Sequence, residues 1–314
     1  MMTDESPTLN LPGGSRQSRL AALIRAAALG LAFTATLTSV ALPIGVAYIA
    51  YQRWIAGHSL QEASLHLEDA MLFLQCAGSL LALAGAVAWV TLFFRRADRQ
   101  GDLRGVGFAA QPRGWLRIGV AFAGGILFAV IPIAIAIAFG QLRFGTSHAS
   151  LEGVGDVVLD ALGSVVIIAA MVAAEELVFR GYMPWTLGRS GWSEELSALL
   201  PALLFAIYRI VLATGSWAVF LNVFAAGTLL GLLARLTRSL YVTIAARLGW
   251  ALVLGTVFSL PVGGAPVEGI LHSLPTPGLA LDGAYGPEGS WLVLPLLAAG
   301  VVLAQRITIL RRQQ

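Results

Sequence analysis

Glu175-Glu176-Leu177-Val178-Phe179-Arg180 places two carboxylates and a guanidinium inside an otherwise apolar run that begins near Val157. A charged side chain deep in an apolar span costs roughly 2.5–3.5 kcal/mol even on the lenient insertion scale, so such groups face protein and mark a use. Two later apolar segments carry the other deeply placed charges, Arg209 and Arg247. Three separate helices thus bring ionisable groups to the middle of the buried mass, where they are expected to meet.

The rest of the chain supports a membrane reading of that stretch. Of 314 residues, 57% are apolar and only 12% charged, a balance that fits a polytopic membrane protein and excludes a soluble domain. Apolar runs of about 20 residues, enough to cross a bilayer, fall near 24–51, 70–94, 116–140, 157–186, 195–213, 217–234, 239–260 and 290–305. The expected fold is therefore all-α, a polytopic transmembrane helix bundle of about eight spans.

Arginine placement orients these spans, because cytoplasmic loops near span ends are enriched in basic residues. Arg16 and Arg19 precede the first span, and Arg95, Arg96, Arg99, Arg104, Arg113 and Arg117 crowd the second connection. Arg189, then Arg235 and Arg238, then Arg306, Arg311 and Arg312 mark every second boundary after that. The intervening connections hold only Arg53 and Arg143 against eight acidic residues, Glu268, Asp282 and Glu288 among them. Both termini are therefore expected in the cytoplasm. Trp54, Trp115, Trp185, Trp192, Trp217 and Trp291 stand at or near span ends, as amphipathic indoles do.

The net charge of +3 follows from this topology. The arginines are spread over short inner loops with no basic stripe, which argues against nucleic acid as a partner and for anionic membrane lipid. All twenty basic residues are arginine, which suggests a GC-rich bacterial genome and hence a bacterial plasma membrane. Cys76 is the only cysteine, so no intrachain disulfide can form, and it reads as a small apolar filler. His58, Glu62 and His66 share one face at helical spacing and could present two imidazoles and a carboxylate to zinc, although a solvated connector carries the same pattern.

On a helix, Glu176 and Arg180 are four residues apart and pair on one face, while Glu175 points about 100° away toward another neighbour. Downstream stand Phe205, with Arg209 four residues on, then Phe224-Ala225-Ala226-Gly227-Thr228-Leu229-Leu230-Gly231, then Ser239-Leu240 leading to Arg247 and Ala251. Gly227 and Gly231 also form a small-residue face suited to close helix contact.

In this order the motifs resemble those of the CAAX-protease and bacteriocin-processing (CPBP) family, which includes the CAAX prenyl endopeptidases and the abortive-infection membrane proteins. Glu175, Glu176 and Arg180 match its Glu-Glu-x-x-x-Arg motif, and Phe205 opens its Phe-x-x-x-His motif. The segment from Ser239 leads to the place of its His-x-x-x-Asn motif. The resemblance covers about residues 155–260. Composition and hydropathy divide the rest of the chain into a disordered cytoplasmic tail (1–19), N-terminal transmembrane helices (20–154), and a Gly- and Pro-rich, irregular outer loop with the last span and tail (261–314), around the CAAX-protease-like core (155–260) that the resemblance implies. The resemblance also implies an intramembrane metalloendopeptidase, a hydrolase in which the first Glu activates water and two His residues hold a metal or that water.

This chain departs from the family where the chemistry lies. The two His positions are Arg209 and Arg247, and the Asn position is Ala251. Guanidinium has no lone pair for a metal and keeps its proton at any working pH, so no cofactor, and no zinc at the family site, is expected. None of His58, His66, His148 and His272 falls in the matched segment. What arginine does well is donate in a fixed fork to carboxylates, so Glu175 and Glu176 facing Arg180, Arg209 and Arg247 would form an ion-pair cluster with one surplus positive charge. Trp250 and Tyr208 would wall its cavity. Three readings stand: a pseudoprotease that binds a peptide, a prenylated or anionic ligand, or a lipid; an active endopeptidase using Glu175 in an altered site; and a small transporter or lipid-binding protein on the same fold. Fold alone does not choose among them.

Overall fold

A membrane interior offers no water to backbone N–H and C=O groups, so a spanning chain must satisfy them within helices. This chain does so in eight long helices among its described residues. The computed structural model describes residues 16–57, 59, 70–96, 103–109, 114–145, 153–212, 215–276, 278, 280–282 and 285–312. The helices are α1 (Arg16–Trp54), α2 (Met71–Arg96), α3 (Gly114–Ala138), α4 (Val154–Arg189), α5 (Glu194–Leu212), α6 (Trp217–Thr237), α7 (Leu240–Val257) and α8 (Val293–Arg312). Seven are long and apolar enough to cross a membrane; α5, which opens on Glu194 and Glu195 and carries Arg209, is the exception.

The expected disordered tail ended at residue 19, but α1 starts at Arg16, so residues 16–19 belong to the first helix and residues 1–15 lie outside the described residues. His58, Glu62, His66 and His148 also lie outside them. The hydroxyls of Thr34, Thr36 and Thr38 donate back to carbonyls four residues earlier in α1, a way of hiding polar groups in an apolar helix. At the junction of α6 and α7, Arg238 takes a left-handed conformation (φ 50°), and α7 begins two residues later. The start of α6 is capped by Ser216, whose hydroxyl accepts from the Val219 N–H at 3.4 Å.

Helices α3 and α7 pack against each other most extensively, followed by α5 on α6 and α2 on α4. Glycine makes the first contact possible. A Cβ on Gly125 would lie 1.9 Å from the Ala246 carbonyl oxygen, and one on Gly249 2.2 Å from that of Phe122, so the two backbones meet with no room for a side chain. Gly227 and Gly231 of α6 face Ala202 and Ala198 of α5, the close contact their spacing predicts. Cys76 is partly buried, its Sγ 3.6 Å from the Gly163 carbonyl oxygen. The largest apolar core joins Phe33, Phe94, Phe179, Tyr182, Phe205 and Leu240 from five helices.

Helix α4 is not uniform. Its α-helical part ends at Glu176, Leu177–Tyr182 forms a π turn, and α-geometry resumes over Met183–Arg189. Helix α7 likewise ends in a π turn, Val253–Val257. Such wide turns are rare and recur where side chains are re-aimed at functional sites. The Pro- and Gly-rich stretch after α7, expected to be irregular, contains a short strand β2 (Ser273–Pro275) paired antiparallel with β1 (Leu142–Phe144) and a 3₁₀ turn (Pro287–Gly289). It folds back onto the bundle.

Candidate functional site

Glu175 and Glu176 close the α-helical part of α4 and are both 0% exposed. Buried carboxylates require partners, and the three arginines supply them. Arg180 Nη1 lies 3.1 Å from Glu176 Oε1 within α4. From α5, Arg209 Nη2 donates to Glu175 Oε2 at 3.0 Å. From α7, Arg247 Nη1 donates to Glu176 Oε1 at 3.3 Å, and its Nη2 donates to Glu175 Oε2. The Tyr208 hydroxyl completes the set, donating to Glu175 Oε1 at 3.1 Å. Glu175 thus takes three donors from two neighbouring helices.

Phe205 lies under all of this. Its ring centroid is 4.2 Å from the Arg180 guanidinium carbon, 5.1 Å from that of Arg247 and 5.5 Å from that of Arg209. An aromatic face attracts cations at these distances, so one ring serves as a shared platform for three like charges that would otherwise repel.

The ion pairs join three arginines to two glutamates, the surplus positive charge that the sequence pointed to, and the folded loop after α7 sets a further carboxylate nearby. Glu288 reaches the cluster from the 3₁₀ turn. Its Oε1 accepts from Trp250 Nε1 at 2.9 Å, its Oε2 accepts from the Gly263 N–H, and it acts electrostatically on Arg247. Arg209 Nη1 donates to the Gly263 carbonyl at 3.1 Å, and the Tyr285 hydroxyl donates to the Arg209 carbonyl at 3.4 Å. Burial pushes the Tyr285 hydroxyl's pKa up, so it stays a proton donor. Asn222 of α6 fastens the loop, its Nδ2 donating to the carbonyls of Glu288 (3.0 Å) and Ser290 (2.7 Å). Glu288 thus adds a third negative charge beside the cluster without pairing directly to an arginine.

Six of the residues singled out from the sequence come together: Glu175, Glu176, Arg180, Phe205, Arg209 and Arg247. Ala251 does not join them. It is 1% exposed and packs among Ile168, Val172 and Val267, an apolar environment. Trp250 lines the cavity as expected, whereas Tyr208 faces Glu175 from the protein side. The sequence reading missed Glu288 and Asn222. For Asn222 a signal existed, an amide five residues into an apolar span; for Glu288 there was none beyond its sign.

A cavity of about 610 Å³ opens between α3, α6, α7 and α8. Arg180, Arg209, Arg247, Asn222 and Glu288 line its polar end, whereas Glu175 and Glu176 do not reach its surface. The arginines stand between the cavity and those two carboxylates. Among the described residues no three His, Cys, Asp or Glu side chains form a group that could hold a metal ion. His272 lies in the loop segment beside β2, its carbonyl accepting from the Gly145 N–H at 3.0 Å. The donor set around Glu175, with guanidinia where the family has imidazoles, does not fit a catalytic metal.

Residues 156–253 match the family model described as Rce1-like, type II CAAX prenyl endopeptidase Rce1-like. Over these residues, about a third of the chain, the sequence is similar to that family. The match runs from the first turn of α4 to the start of the π turn in α7 and contains every motif position named above. With seven helices fit to cross a bilayer, the chain is a multi-pass membrane protein, and the matched segment lies within its bundle. No curated protein and no solved structure matches the chain.

Proposed function

We propose that this CPBP-type protein is a pseudoprotease, a membrane protein that binds a peptide or lipid in the arginine-lined cavity and does not hydrolyse peptide bonds. The observation that carries this reading is the state of Glu175. A general base must lie within hydrogen-bond reach of the water it activates. Glu175 is fully buried, takes two guanidinia and a phenol, and is screened from the cavity by the arginines. Both of its carboxylate oxygens are taken by donors, Oε1 by Tyr208 and Oε2 by Arg209 and Arg247, which leaves no acceptor aimed at a water in the cavity. Neither arginine can take the proton in its place.

The test compares wild type with Glu175→Ala on prenylated and unmodified peptides, in detergent and in liposomes. No turnover above background by either protein is expected; cleavage by wild type that vanishes in the variant would make the chain an active endopeptidase using Glu175 without histidine.

The arginine-rich boundaries further support a bacterial plasma membrane location with both termini in the cytoplasm. Tags on the N- and C-termini should be reached by a membrane-impermeant reagent only after lysis, and labelling of either in intact cells would reverse the orientation.

A further inference from the structure

We propose that the cavity between α3 and α6 holds one acyl chain of an anionic phospholipid of the phosphatidylglycerol kind, with the lipid's phosphate on Arg117. This deepens the binding role proposed above, and rests on it, by choosing a bilayer lipid over a peptide. Among the described residues α3 and α6 barely touch, and the cavity lies between them with α7 as its floor. Leu116 and Val120 line it and are 51% and 66% exposed, so it opens toward lipid. Leu229, Leu230 and Leu233 from α6 and Ala121 from α3 continue the wall. An extended peptide laid along these side chains would bury N–H and C=O groups with nothing to pair them. A hydrocarbon chain has no such groups. From Arg117 to Phe128, both at the cavity, α3 rises about 16.5 Å, and an acyl chain of one leaflet runs about 15 Å, half of the hydrocarbon core. The chain would end against Phe128 and Trp250, whose ring centroids are 5.4 Å apart.

Because lipid tails gain little by leaving bilayer for an apolar wall, the head decides which lipid is held. What the protein offers a head is charge of one sign. Arg117 is exposed in the first turn of α3. The connection just before α3 is tied to the start of α7, where the Leu240 N–H donates to the Gly107 carbonyl at 3.0 Å. The first turn of α3 and the junction of α6 with α7 therefore share one end of the cavity, and Leu236 and Thr237 line it there. Arg238, exposed at that junction, adds a second guanidinium, whereas Arg235 is already paired with Glu194 at 2.5 Å. Among the described residues Glu288 is the one acid that lines the cavity, and it stands at the far end with the arginine cluster. Trp115, two residues before Arg117 and 76% exposed, marks this turn as head-group depth. A phosphodiester presents two free oxygens to the guanidinium fork, and its negative charge is drawn to basic residues at the membrane surface. A choline head carries the same phosphate but sets against these arginines an ammonium that they repel.

The experiment uses the purified full chain in detergent, with native mass spectrometry following titration of dioleoyl phosphatidylglycerol, dioleoyl phosphatidylcholine and glycerophosphate. The first two share their chains and differ in head charge, and the third is the head phosphate without chains. Four variants are titrated in parallel. Arg117→Gln removes the charge, and Arg96→Gln, in the last turn of α2 and outside the cavity, is its control. Gly124 lines the cavity, and a Cβ there meets nothing within 4 Å, so Gly124→Leu fills the lumen without crowding the fold. Gly119 on the same helix also has open space at Cβ but does not line the cavity, so Gly119→Leu is its control. A saturable one-to-one phosphatidylglycerol adduct is expected, at least fivefold tighter than that of phosphatidylcholine, at least fivefold weaker in Arg117→Gln, at least tenfold weaker in Gly124→Leu and unchanged in both controls, with no glycerophosphate adduct. Absence of saturation, equal binding of phosphatidylcholine, wild-type affinity in Arg117→Gln or in Gly124→Leu, an equal loss in either control, or glycerophosphate binding of like affinity would each overturn the proposal. Glu175-dependent peptide turnover would overturn the pseudoprotease reading and leave this isotherm untouched, so the two failures are distinguishable.

Discussion

Replacing Glu175 by glutamine keeps the side chain's shape and removes its charge, which separates a site held by charge pairing from one poised for catalysis. In the folded protein Glu175 Oε2 accepts from Arg209 and Arg247, and Oε1 accepts from Tyr208. Glutamine can keep one oxygen as an acceptor, but its amide nitrogen is a donor and would face a guanidinium donor. Interhelical hydrogen bonds in membranes average roughly 0.6 kcal/mol each, so three ordinary ones would amount to about 2 kcal/mol. Here the loss also leaves a buried guanidinium unpaired, and breaking a buried pair from one side costs about 3–5 kcal/mol. Unfolding in mixed detergent–SDS micelles, followed by circular dichroism, should therefore become easier by a hundredfold or more in equilibrium constant, since about 1.4 kcal/mol is tenfold. The double variant Glu175→Gln with Arg209→Met removes one charge of each sign and should be less destabilised than the single change. Catalytic sites behave in the opposite way, because removing a strained functional group commonly stabilises the fold. If Glu175→Gln unfolds like wild type, or is more stable, the pairing argument is refuted.

Further outcomes follow from neighbouring contacts. Gly227→Ala sets a Cβ 3.0 Å from that of Ala202 and 3.3 Å from Arg180 Nη2, so it should lower stability by about 1–3 kcal/mol, read by the same unfolding assay. Ala251→Asn would restore the family's residue, but it buries an amide among Ile168, Val172 and Val267. A loss of about 1–3 kcal/mol is expected, and Arg209→His, Arg247→His and Ala251→Asn together should express less well than the two histidine changes alone. Asn222→Leu removes both hydrogen bonds from Asn222 to the Glu288 turn; hydrogen exchange over residues 285–292 should quicken at least tenfold, and unchanged protection would show that the Trp250 and Gly263 contacts of Glu288 hold the loop by themselves.

Much of this could be read from the sequence because apolar length and charge act over short distances along the chain. The runs that predict α2, α3 and α6 carry almost nothing but apolar side chains, and the cost of charge in such surroundings forces Glu175, Arg209 and Arg247 to seek one another. The family motifs marked the same residues. Glu288 stayed hidden because no periodicity connects a glycine- and proline-rich loop to a cluster whose members stand between 41 and 113 residues earlier. The π turn after Glu176 was equally hidden, since Leu177–Tyr182 reads as ordinary apolar helix. Ala251 entered only as the place of the family's Asn, and its surroundings were not legible in the sequence, since it is the packing of α4 against α7 that encloses it in aliphatic side chains.

The order in which the chain presents its buried charges bears on how it is made. Helix α4 emerges first with two glutamates and one arginine, one negative charge in all. Arg209 on α5 cancels it, Arg247 on α7 tips the sum to plus one, and Glu288 returns it to zero. Counted as each element is completed, the growing cluster is within one charge of neutral, so no finished helix leaves the insertion machinery more than a single unmatched ion. A permuted chain that delivered Arg209 and Arg247 before Glu175 and Glu176 would have the same final structure available to it, yet would need to carry two bare guanidinia through the bilayer until their partners arrived.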